Sequence, residues 1–291
     1  MAVSSAAFAQ SSVTIYGKVD VGITDRMGST VTEVREASGS RLGFRGTEDL
    51  GGGLKANFTL EHRFTPDNGA ANDTFWNGRS IVGIEGGFGR VDMGRDYSAA
   101  FWPALSADVF GFDGVAANTA ISSMGTHAVR MANVIGYTTP TMGGFKAQLS
   151  VSPKEAAAKN GSSLRLNYAA GPVNLDMAVE RGTTGNEWNG LNAAYDFGVA
   201  RANLFVGKGE RGATGDDTDA ILLGLVVPMG ALTLKASYGT LEVNDVKTIS
   251  QLGLGARYAL SKRTDVYTSF ARDSKRTTEK SGWEIGLQHN F

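Results

Sequence analysis

The stretch GWEIGLQHNF, residues 282–291, alternates without a break: Trp283, Ile285, Leu287, His289 and Phe291 share one parity, and Gly282, Glu284, Gly286, Gln288 and Asn290 the other. Period-two alternation over ten residues means a strand with one apolar face. A strand ending on an aromatic must be paired to hold its shape, because free chain ends usually fray. What lies against the apolar row therefore decides the fold.

The same pattern runs through the chain. In VTIYGKVDVGIT, Val13, Ile15, Val19, Val21 and Ile23 oppose Thr14, Tyr16, Lys18, Asp20 and Thr24. In RLGFRGT, Leu42 and Phe44 oppose Arg41, Arg45 and Thr47. In LKANFTLEHRF, Leu54, Ala56, Phe58 and Leu60 oppose Lys55, Asn57, Thr59, Glu61 and Arg63. FKAQLSV, LRLNYA, VNLDMAVE, LTLKASY and QLGLGARYA repeat it. Around Val134, Phe205 and Leu222 the polar parity is interrupted by apolar residues.

The connections alternate too. Seven are short and rich in Gly, Pro or Asp: EDLGGG, EGGFGR, TPTMGG, AAGPVN, YDFG, VPMGA and ALSKRT. Eight longer polar stretches fall at 25–39, 65–75, 96–128, 153–161, 182–187, 209–217, 240–247 and 274–281. Together they delimit sixteen strands of roughly 8 to 12 residues, with turns at one end and loops at the other, the layout of an outer-membrane barrel.

Composition narrows the function classes. The 291 residues carry a net charge of −1, no cysteine and three histidines. That balance gives no case for a nucleic-acid partner, and there is neither a thiolate site nor material for a His-based metal cluster. No run approaches the ~18 to 20 apolar residues of a membrane helix, which leaves a membrane barrel open. In a sixteen-strand cylinder side chains cannot fill the interior, so the charged parity belongs in a water-filled lumen and the Val/Leu/Ile/Phe parity faces lipid. Open sheet edges do not persist in hydrocarbon, so the last strand must pair with the first. The fold expected is an all-β, 16-stranded antiparallel transmembrane β-barrel over residues 10–291. Ala7-Phe8-Ala9 fits a small-x-small cleavage pattern, so residues 1–9 read as the remnant of a signal peptide, or as a plain Ala/Ser-rich tail.

Taken together and in order, SSVTIYGKVDVGI, SRLGFRGTEDLGGGLKANFTLE, RSIVGIEGGFGRVDMGRDY, YALSKRT and the terminal GLQHNF resemble the general porins of Gram-negative outer membranes, in their neisserial and burkholderial branch. The resemblance implies a homotrimer in outer-membrane lipid and lipopolysaccharide, assembled by the barrel assembly machinery through the Phe291 strand. It implies passive passage of ions and small hydrophilic solutes, with no cofactor. It also implies a third loop folded into the lumen, here about Asp96–Ala128. That loop carries Phe101, Trp102, Leu105, Val109, Phe110 and Phe112, more apolar surface than an exposed loop bears; packing against the barrel wall or against another subunit would each account for it. By matching segments, Arg41, Arg79 and Arg130 fall where the family places a wall cluster of arginines, and Asp108 and Asp113 would be the opposing loop acids. Parity adds Lys18, Arg45 and Glu61 to the pore lining.

A diffusion pore needs a narrow charged ring and no catalytic group. The excess of basic lumen residues points to a mild anion preference. Rival readings are a substrate-specific channel for small anions on the same fold, a barrel enzyme and a plugged structural barrel. The enzyme is disfavoured because none of His62, His127 and His289 stands beside an obvious nucleophile.

Overall fold

The computed structural model describes residues 12–71, 74–155 and 159–291. The expected leader remnant, residues 1–9, lies outside them. The strands in the first half are β1 (Ser12–Asp25), β2 (Thr32–Arg35), β3 (Ser40–Gly51), β4 (Leu54–Thr65), β5 (Ala70–Ala71), β6 (Ser80–Gly86), β7 (Gly89–Tyr97), β8 (Arg130–Thr138) and β9 (Phe145–Ser152). The second half adds β10 (Gly161–Ala170), β11 (Val173–Arg181), β12 (Glu187–Asp196), β13 (Arg201–Arg211) and β14 (Asp216–Met229). It ends with β15 (Leu232–Val243), β16 (Val246–Ala259), β17 (Thr264–Asp273) and β18 (Ser281–Asn290). β2 and β5 are short pieces within loops that fold back on β1 and β4. The other sixteen pair antiparallel with their neighbours around a closed sheet.

Closure is made by β1 and β18, in register from Lys18 opposite Asn290 to Asp25 opposite Trp283. One residue further, the amides of Gly17 and Phe291 donate to each other's carbonyls at 3.0 and 3.1 Å. The Phe291 ring lies over Gly17, where any Cβ would collide with it. The aromatic end of the chain thus completes the last pairing of the cylinder.

The two faces have the inverted polarity that a lipid-facing barrel requires. Val13, Ile15 and Ile285 are 67%, 60% and 54% exposed, whereas Asp20 and Glu284 are 0% and 3% exposed. An apolar exterior with buried ionic groups costs free energy in water and is favoured in hydrocarbon.

Several strands run longer than the 8 to 12 residues read from the sequence: β1, β14 and β16 each have 14. The stretch 240–247, read as a loop, is a hairpin in which only Asn244 and Asp245 lie outside strand, with φ of 50° and 62°. Two consecutive left-handed residues make the tight turn whose twist matches paired strands. The polar character misread as loop belongs to strand tops, where Lys208 reaches Asp219 at 2.9 Å and Lys247 reaches Glu242 at 3.5 Å.

The connection between β7 and β8 carries two helices, α1 (Phe101–Ala107) and α2 (Thr119–Ser123). Ala100, Ala104, Ala107, Ile121 and Met124 from this loop form one cluster with Ala178, Trp188, Phe205, Ala220, Leu222 and Leu241. Those wall residues stand on the polar-parity face of β11 to β15, so the third loop lies against the inner wall. The indole of Trp188 donates to the Ser122 carbonyl at 2.9 Å, and the Asn203 amide to the Ser106 carbonyl at 2.6 Å. Burying a Phe, Leu, Ile or Met side chain contributes about 1.5–3 kcal/mol, so Phe205, Leu222, Ile121 and Met124 hold the loop firmly. The interruption of polar parity at Phe205 and Leu222 is the docking surface of the loop.

Candidate functional site: a basic belt across the pore wall

The wall facing the third loop carries a row of charges set by strand register. Lys18 pairs with Arg41, and Arg41 with Arg63, across β1, β3 and β4. Arg79 enters the row beside Glu61, whose amide donates to the Arg79 carbonyl at 2.8 Å. Arg130 closes it opposite Tyr97. Since alternate residues of each strand point the same way, these side chains project from one face.

Tyr97 is the hub of this row. Its hydroxyl accepts from Arg130 at 2.8 Å and from Arg63 at 3.3 Å. The Arg130 guanidinium lies 4.5 Å and that of Arg79 5.8 Å from its ring centre. The ring stacks on Phe101 at 4.1 Å, which ties the arginine cluster to the root of the third loop. Such cation–π contacts contribute about 0.5–2 kcal/mol each. They also let several guanidinium groups crowd together, since arginine keeps its charge in such company.

The acids nearest this cluster come from the wall itself. Asp96 takes a two-point contact from Arg79 at 2.6 and 2.8 Å. Glu61 accepts from Arg63 at 2.9 Å and from the Tyr16 hydroxyl at 3.1 Å. Tyr16 lies across Gly43, where a Cβ would strike the ring, and its other neighbour is Arg45, whose guanidinium carbon is 5.2 Å from the ring centre. Glycine at 43 is therefore what lets an aromatic lie flat between Arg41 and Arg45.

The loop acids behave differently from each other. Asp113 sits 4.0 Å from the Lys18 ammonium, and Lys18 also bonds Ser38. Burial raises the Asp113 carboxyl above the usual carboxylate range, against the pull of Lys18 and the bond from Ser38. Asp108 corrects the sequence expectation of a second pore-facing acid. It is 3% exposed and accepts from the amides of Phe110, Phe112 and Asn118 at 3.0, 3.1 and 2.8 Å. It shapes the turn after α1, and burial pushes its carboxyl upward as well.

The structure thus brings Arg79 and Arg130 together on Tyr97, sets Lys18 and Arg41 beside them in register, and puts Glu61 in their midst. Arg45 lies on the same face of β3, four residues nearer the short turns. Asp96 and Tyr97 escaped the strand reading because the register slips between Gly94 and Asp96. A bulge at that point breaks the parity count, and both residues read as loop. Among the described residues no group of three or more His, Asp or Glu side chains is arranged to hold a metal.

A closed antiparallel cylinder with an apolar exterior, a charged interior and a loop laid along its inner wall is the architecture of an outer-membrane channel. The family described as Gram-negative porin matches residues 1–278, and the chain belongs to that family. It is 33% identical to outer membrane porin protein 32 of Delftia acidovorans, over 100% of this chain and 97% of that one. It is 26% identical to the major outer membrane protein P.IB of Neisseria meningitidis, over 97% and 95% of the two chains. Among solved structures, the anion-selective porin from Comamonas acidovorans superposes with a TM-score of 0.83 at 28% identity, covering 97% of this chain and 100% of that one. The protein is an outer-membrane diffusion porin that passes ions and small hydrophilic solutes through a water-filled channel.

Proposed function

We propose that this porin favours anions and works as a homotrimer without catalytic activity. The belt carries the reading: Lys18, Arg41, Arg63, Arg79 and Arg130 are five bases, and the acids in contact with them, Glu61, Asp96 and Asp113, are three. A surplus of fixed positive charge in a low-dielectric wall concentrates anions and repels cations. The solved relative titled anion-selective supports the same sign. Arg41, Arg79, Arg130 and Lys18 would set the selectivity, with Glu61 and Asp113 moderating it.

Zero-current potentials across planar bilayers in a KCl gradient test the sign. An anion-permeable potential is expected, and a cation-permeable one would overturn the reading. The trimer finds support in a fold neighbour, an outer membrane protein of Vibrio cholerae whose solved structure is titled trimer form. Single channels should then close in three equal steps; a single step would argue for independent barrels. Hydrolysis of generic ester or peptide substrates by the purified protein should stay at background. His127, near the end of the third loop, faces the Glu180 carboxylate at 3.4 Å rather than a nucleophilic hydroxyl.

A further inference from the structure

We infer that the channel holds a second anion station below the belt, on the short-turn side, selective for polyoxygen anions such as phosphate and sulfate over halides. It is centred on Arg45 and rests on the anion preference proposed above. Four residues along β3 from Arg41, Arg45 lies about 13 Å nearer the short turns at 3.3 Å per residue. Its neighbours across the sheet are Thr14 on β1 and Thr59 on β4. Thr47 and Asn57 line the row beneath, bonded to each other at 2.8 Å. With Arg90 from β7, these side chains line an open recess of about 270 Å³. That volume admits an oxyanion together with several waters, each taking about 30 Å³.

Arg45 differs from the belt arginines in what it touches. Arg79 is matched by Asp96 and Arg63 by Glu61. Arg45 makes neither an ion pair nor a side-chain hydrogen bond among the described residues; its contact is the Tyr16 ring. Its five N–H donors are thus free for a ligand. The planar fork of a guanidinium fits two oxygens of one anion, and threonine hydroxyls on either side can donate to the remaining oxygens. A halide, with a single centre, uses the charge and wastes the collar. Arg90 supplies positive charge across the recess but is held by Asp92 at 2.7 Å, so Arg45 is the primary donor.

The test is block of chloride current through the purified porin in planar bilayers, with inorganic phosphate or sulfate added to one side. A saturable block is expected, stronger from the short-turn side. Arg45→Gln should raise the half-blocking concentration about tenfold, the loss of one charge-assisted contact. Arg45→Lys keeps the charge without the fork and should also weaken the block. Thr14→Val with Thr59→Val should weaken it several-fold. Block that survives Arg45→Gln, or that Arg45→Lys fully retains, would overturn the inference. So would block that is lost only with Arg79→Gln, since that would place the ligand in the belt. The KCl potential reports the anion preference separately, so either reading can fail alone.

Discussion

Two halves of the same wall use one strand pattern for opposite ends. On β1 to β9 the inner face carries Lys18, Arg41, Arg45, Arg63 and Arg130, and the third loop meets it through an ion pair and a ring stack, Asp113 at Lys18 and Phe101 on Tyr97. On β11 to β15 the inner face carries Ala178, Trp188, Phe205, Ala220, Leu222 and Leu241, and the third loop covers it. Both halves keep an apolar exterior, so lipid imposes the same rule on each; only the inward parity differs. Inward apolar residues in a water-filled barrel therefore mark where something docks, and inward arginines mark where solute passes.

The comparison can be broken most forcefully on the apolar half. Phe205→Ala should cost about 3–5 kcal/mol of packing between loop and wall. Channels with greater current noise and a loop open to protease are the expected outcome; a quiet channel with an uncut loop would mean the apolar patch does not hold the loop. Asp108→Asn attacks the same contact from within the loop. It places an amide among backbone donors that a carboxylate now satisfies, at a cost of about 1–3 kcal/mol. The loop should cleave faster than in the parent, and equal cleavage rates would show that the turn stands without Asp108.

The polar half is tested without touching stability. Arg79→Gln with Arg130→Gln should lower the chloride-to-potassium permeability ratio several-fold, while the heat-induced mobility shift of the barrel on gels stays at the parental temperature. A lost shift would mean these arginines are structural. The smallest effect expected is that of pH. The Asp113 carboxyl is raised by burial, so on acidification it takes up its proton before an ordinary carboxylate does. Lys18 then loses its counter-charge, and anion preference should rise as pH falls through that range. Asp113→Asn should hold the high value at neutral pH and flatten the dependence; a preference that falls on acidification would remove Asp113 from the path.

Much of this was legible in the chain. Parity alone assigned Lys18, Arg41, Arg45, Glu61, Arg79 and Arg130 to the charged face, and resemblance to the family grouped Arg41, Arg79 and Arg130 as a cluster. Less legible were Asp96 and Tyr97, because a bulge shifts the count, and the strand tops near Asn244, because charge above the apolar band reads like loop. Asp108 was misjudged for a different reason: acidity is visible in a sequence, but burial is not.

The alternating pattern by itself determined the barrel, its closure through Phe291 and which face meets lipid, because strand geometry leaves each side chain only two directions. Tertiary structure alone decided which charges neutralise one another, that Tyr97 gathers Arg63 and Arg130 while Arg45 has no ion-pair partner among the described residues, and where the loop lies. Those outcomes depend on distances between residues far apart in the chain, and a local period carries no information about them.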